Sequence, residues 1–98
     1  MDDPNSERQL RELLEYCRKN GLHKPAVVQN ECHPLLQARS VRALCEKEGI
    51  IFQAYASLGS GQLGLCQAPA VMGVANKMGV SPGQVLLRWA IQVWQYIY

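Results

Sequence analysis

Apolar residues recur along this chain at two different periods, and the switches between them mark out its elements. Leu10, Leu13, Leu14 and Cys17 fall at helical spacing, with Arg11, Glu12, Glu15, Arg18 and Lys19 on the opposite side. Ahead of them Ser6-Glu-Arg-Gln9 has the form of a capping box, in which the serine oxygen and the glutamine side chain satisfy the first free amides, and Gly21 closes the helix. Pro25 then separates this helix from Ala26 to Cys32, where the period drops to two. Val27, Gln29 and Glu31 occupy one face there, and Val28, Asn30 and Cys32 the other. The helical pattern returns from Gln37 to Glu48, with Val41, Leu44 and Cys45 inward and Arg39, Arg42, Glu46 and Lys47 outward. Gly49 ends it, and a second apolar strand runs from Ile50 to Tyr55.

Two apolar strands joined by a helical crossover of this length make a parallel βαβ unit, so the chain reads as α/β. Beyond it, Ala56-Ser-Leu-Gly-Ser-Gly61 forms a turn-rich loop, and Gln62 to Gln67 a further loop. A short helix follows from Ala68 to Met78, with Val71, Val74, Ala75 and Met78 as its apolar side, and Gly79 ends it. Ser81-Pro-Gly-Gln84 opens the last helix with a serine cap, proline in the first turn and glutamine three residues after the cap. Val85, Leu86, Trp89, Ala90 and Val93 give that helix a wide apolar face, with Arg88 at its edge.

Composition narrows the function classes. A chain of 98 residues, 48% hydrophobic with net charge +2, fits one globular domain or a piece of one. That charge is too small and too evenly mixed for a nucleic-acid or anionic-membrane surface. Met1-Asp-Asp-Pro-Asn-Ser-Glu lacks the basic start and apolar core of a signal peptide, so the expected compartment is the cytoplasm. No apolar run reaches the roughly 18 residues of a membrane span. Cys17, Cys32, Cys45 and Cys66 contain no C-x-x-C pair, which leaves them as reduced structural thiols, with no metal site expected.

The candidate chemistry gathers on and after the strands. A plain core strand would not place Gln29 and Glu31 on the same side as Val27, because buried polar groups need partners; that face lines a polar site or stands exposed. Tyr55, at the carboxyl end of its strand, can stack on a flat ring, and the Ser/Gly turn beside it can offer amides and hydroxyls to a pyrophosphate. His33 has no acid, histidine and nucleophile arrangement around it in the sequence and reads as structural.

Lys24-Pro-Ala-Val-Val-Gln-Asn-Glu-Cys-His-Pro-Leu-Leu36 and Gly49-Ile-Ile-Phe-Gln-Ala-Tyr-Ala-Ser-Leu-Gly-Ser60 resemble the aldo-keto reductase family, and Pro82 to Gln92 follows it more loosely. The family comprises NADPH-dependent carbonyl reductases built on a (β/α)8 barrel. The resemblance implies a partial TIM barrel of about two strands and three to four helices, residues 1–98 being a fragment of one barrel around its sixth and seventh strands. It implies NADP(H) as cofactor and a small aldehyde or ketone as substrate. Gln29 would hydrogen-bond the nicotinamide carboxamide and Tyr55 would stack on the ring. Ala56, Ser57, Leu58 and Ser60 would line the pyrophosphate path, Ala56 through its backbone because the family commonly has serine there.

The family's catalytic Asp, Tyr, Lys and His lie on earlier strands and map onto no residue of this chain. The resemblance therefore implies a truncated, alternatively spliced or incompletely predicted product, inactive alone. Two strands leave both sheet edges unpaired, so self-association is expected. The alternative is a non-catalytic interaction module, using the exposed barrel face with Trp89, Trp94, Tyr96 and Tyr98 to bind a partner.

Overall fold

The computed structural model describes residues 4–61 and 63–93, and for Pro4 and Ser60 the backbone alone. Helix α1 spans Pro4–Lys19 and starts two residues before Ser6, so the expected capping box lies within the helix instead of ahead of it. Proline explains the shift: its fixed φ suits the first turn, and its missing amide is one the turn would leave unbonded anyway. Leu10, Leu14 and Cys17 are buried, whereas Leu13 is 46% exposed, which makes the buried stripe narrower than its spacing suggests. The outer face carries i,i+4 and i,i+3 pairs of Arg11 with Glu7 and of Arg18 and Lys19 with Glu15. Exposed pairs of this kind add little stability and chiefly keep the face in water.

Strand β1, Val27–Glu31, pairs in parallel with β2, Ile51–Tyr55, in the register Val27↔Ile51, Gln29↔Gln53 and Glu31↔Tyr55. The Ile51 amide donates to the Ala26 carbonyl and the Cys32 amide to the Tyr55 carbonyl, both at 3.0 Å, bracketing the ladder. Between the strands, helix α2 covers Arg39–Glu48. It begins after Gln37 because Ala38 sits in the left-handed region (φ 50°), from which a helix cannot continue backwards. The Gln37 carbonyl instead accepts from Arg42 Nε at 2.8 Å. At the other end Gly49 (φ 71°) lets the Ile50 amide reach back to the Cys45 carbonyl. Equivalent bonds from Leu22 to Cys17 and from Val80 to Ala75 end the flanking helices in the same way.

Helices α1 and α2 cover one face of the sheet. Phe52 and Cys45 are fully buried there among Leu10, Leu14, Cys32, Val41, Leu44, Ile50 and Ala54. Burial pushes the Cys45 thiol up, as befits an inert packing residue, and none of the four cysteines forms a disulfide. The other face carries Val27, Gln29, Ile51 and Tyr55 and is exposed. With a radius of gyration of 15.5 Å, against about 13 Å for a compact domain of this length, the chain is an open slab of barrel wall.

After a 3-10 turn at Leu65–Gln67, α3 (Pro69–Met78) and α4 (Pro82–Val93) pack on one another. Leu65, Ala75, Leu86 and Ala90 are buried, but Val74 and Met78, expected on the covered side of α3, are 48% and 66% exposed. Ala75 is the one fully covered residue of α3, and the larger side chains flanking it remain outside. A cavity of about 590 Å³ opens between the two helices, lined by Val74, Met78, Val80, Val85 and Trp89 among others. The cap of α4 forms as its residues require: the Ser81 amide donates to Gln84 Oε1 at 2.8 Å, and the Gln84 amide donates to Ser81 Oγ at 3.2 Å. Ser81→Ala should cost about 1 kcal/mol and Ser81→Asp much less, measurable by urea denaturation.

Candidate functional site

Parallel pairing sends both carboxyl ends of the sheet the same way, so residues 32–38 and 56–61 leave from one rim of it. On the uncovered face below that rim, the register builds a square of four side chains: Gln29 opposite Gln53, and Glu31 opposite Tyr55. Gln29 Nε2 donates to Gln53 Oε1 at 3.3 Å, long enough for an incoming amide to compete for it. Gln29 and Tyr55 thus share one face, as strand alternation requires, and Tyr55 is 40% exposed. Gln53 is absent from the sequence-derived set, although its place two residues before Tyr55 puts it on the same face.

Beyond the strand the chain turns sharply. Ala56 takes a left-handed conformation (φ 56°), and the Gly59 amide donates to its carbonyl at 2.8 Å. Ser57 is 5% exposed and its hydroxyl is buried without a hydrogen-bond partner among the described residues. Leu58 is 39% exposed. Ser60 lies in the 3-10 turn Gly59–Gly61, with its side chain outside the description. Of the expected loop residues, the structure holds Ala56, Ser57 and Leu58 directly after Tyr55 at the rim.

His33 is 1% exposed, with Nε2 2.6 Å from Glu31 Oε2. Its amide and carbonyl exchange hydrogen bonds with Leu36 at 3.0 and 2.9 Å, anchoring the loop after β1. Glu31 lies two residues before His33, and no acid was assigned to this histidine from the sequence. Among the described residues there is no His, Cys, Asp and Glu cluster able to hold a metal, and no helix is long and apolar enough to cross a membrane. Trp94, Tyr96 and Tyr98, assigned to an interaction surface, lie outside the described residues, while Trp89 packs half-buried against the core.

Two parallel strands with helices on a single face make one βαβ unit, and aldo/keto reductase structures share this arrangement over part of their length. The Aldo/keto reductase family model matches residues 4–97, and the chain belongs to that family. It is 39% identical over 83 residues to aldehyde reductase YPR1 of Saccharomyces cerevisiae, covering 85% of this chain and 26% of that protein. It is 40% identical over 77 residues to aldo-keto reductase family 1 member A1 of Homo sapiens, covering 70% and 24%. The aldo/keto reductase of Brucella melitensis superposes with a TM-score of 0.75 at 28% identity, over 89% of this chain and 32% of that one. A mutant of Gox0644 in complex with NADPH does so with a TM-score of 0.72 at 30% identity, over 84% and 29%. The chain thus spans about a quarter of the length of the curated relatives it matches.

Proposed function

We propose that this chain forms the nicotinamide-facing wall of an NADP(H)-dependent carbonyl reductase acting on aldehydes or ketones, around the sixth and seventh strands of the barrel. The observation that carries the reading is the common face of Gln29 and Tyr55, with the 56–60 loop leaving directly above them. A primary amide such as Gln29 both donates and accepts, matching a carboxamide, and it comes free from Gln53 by giving up one long bond. The Tyr55 ring is open on the same face and can take a flat ring by stacking. The turn 56–59, closed by the Gly59 to Ala56 bond that takes up the Gly59 amide, leaves Ala56 and Leu58 to line a phosphate path beside Tyr55. A relative of the same fold binds NADPH, which supports this cofactor class.

When bound, NADPH supplies a hydride to the carbonyl carbon; these residues orient it and shield one side of it from water. Reduction also needs a proton donor at the carbonyl oxygen, and the family's four catalytic residues have no counterpart in this sequence. In this reading the 98 residues bind the cofactor without turning it over. NADPH fluorescence titration tests it. The chain should bind, Tyr55→Ala should weaken binding about tenfold through lost stacking, and Gln29→Ala should weaken it about fivefold. An aldehyde panel should show no NADPH oxidation. Absence of binding overturns the reading.

The exposed apolar residues of α3 and α4, among them Met72, Met78, Leu87 and Ile91, favour a second reading as a non-catalytic interaction module. A chain that takes up no NADPH but assembles with itself in sedimentation would support that reading over the first.

A further inference from the structure

The square of side chains on the uncovered sheet face contains one carboxylate, and it stands where a nicotinamide would have to lie. A ring stacked on Tyr55 with its carboxamide on Gln29 spans one diagonal of that square, and Glu31 and Gln53 are the other two corners. Glu31 is therefore a neighbour of both contact points: directly opposite Tyr55 across strands about 4.8 Å apart, and next along β1 from Gln29 on the same side. No other residue at the six register positions of this face is Asp, Glu, Lys, Arg or His; they are Val27, Gln29, Ile51, Gln53 and Tyr55. Its side chain is 36% exposed, leaving it open toward the face, while Oε2 is held at 2.6 Å by the buried His33 ring. Among the described residues no lysine or arginine pairs with it.

We infer that Glu31 makes this face discriminate between the two redox forms of its cofactor, favouring the oxidised one. The inference rests on the proposed binding of NADP(H). The oxidised nicotinamide ring is cationic and the reduced ring is neutral, while the phosphates and adenosine are the same in both. A carboxylate beside the ring attracts the first and not the second, and the attraction acts at short range across neighbouring strands. His33 is a positioning residue in this scheme: its bond to Oε2 keeps the carboxylate at a set place beside the ring.

The test is the ratio of the dissociation constants of NADP+ and NADPH for the 98-residue chain, measured by calorimetric titration of each form. Taking the ratio cancels every contact the two forms share. Glu31→Gln, which keeps the shape and removes the charge, should raise the ratio roughly fivefold or more. Added salt should raise the ratio for the unaltered chain by screening the carboxylate, and should leave it unchanged for the Gln variant. If the variant does not fold by circular dichroism, the salt dependence of the unaltered chain decides, and a flat ratio there overturns the inference. Binding of both forms with a ratio indifferent to Glu31→Gln and to salt overturns this inference alone. Binding of neither form overturns it together with the proposed function.

Discussion

Phe52→Ala should unfold this chain at room temperature. Phe52 is fully buried near the start of β2, where the sheet meets the cluster of Leu44, Cys45, Val41 and Leu14. Removing a buried phenyl ring costs about 3–5 kcal/mol in lost transfer energy and residual cavity. Globular domains as a class have only about 5–15 kcal/mol in total, and small ones sit at the low end. This chain has less to draw on than most of its size, because one face of its sheet is open and its core is one-sided. Far-UV circular dichroism and a thermal melt measure the effect, with Phe52→Leu as the comparison that keeps most of the volume. A cooperative melt for Phe52→Ala close to that of the unaltered protein would mean that the core does not lie between this sheet face and the two helices.

Gly59→Ala should disorder the loop after β2 while leaving the βαβ unit intact. Gly59 has φ 75°, and a Cβ there would stand 2.8 Å from Leu65 Cδ1, 3.1 Å from Leu65 Cγ and 3.2 Å from Leu63 Cβ. Leu65 cannot swing aside at small cost, since it is buried against α3 and α4. The left-handed backbone contributes about 1–2 kcal/mol and overpacking about 1–3, so a penalty of roughly 2–5 kcal/mol falls on one loop. Hydrogen exchange should show lost protection at the Gly59 amide, whose bond to Ala56 closes the turn, with protection kept in β1 and β2. Affinity for NADPH should fall with it if the loop lines the pyrophosphate path. Gly61→Ala is the control: its φ is similarly positive at 70°, but no atom lies within 4 Å of the added Cβ. Equal effects at the two positions would show that backbone conformation alone, without the Leu65 contact, governs the loop.

Local rules carried much of the fold. The alternation in Val27 to Glu31 and the helical spacing of Val41, Leu44 and Cys45 yield the strand, the helix and their inward faces correctly. Ser81 and Gln84 specify their reciprocal cap because every atom involved lies within four residues. The start of α1 was not read correctly: a cap at Ser6 was expected, and the helix begins at Pro4. Within the candidate site, Gln29 and Tyr55 were legible as polar groups on an apolar strand and an aromatic at a strand end. Gln53 and the bond between Glu31 and His33 were not picked out, since each matters only through its neighbour.

By itself, the order of residues determined which side chains share a face, because that follows from backbone period alone. It also determined the family, through matches in the Lys24 to Leu36 and Gly49 to Ser60 stretches. Tertiary structure alone decided which face is covered: Leu13, Val74 and Met78 have the spacing of core residues and stand exposed, because burial needs a second surface and none of their own periodicity supplies one. It alone decided the register that sets Glu31 against Tyr55, since the pairing depends on hydrogen bonds between segments more than twenty residues apart.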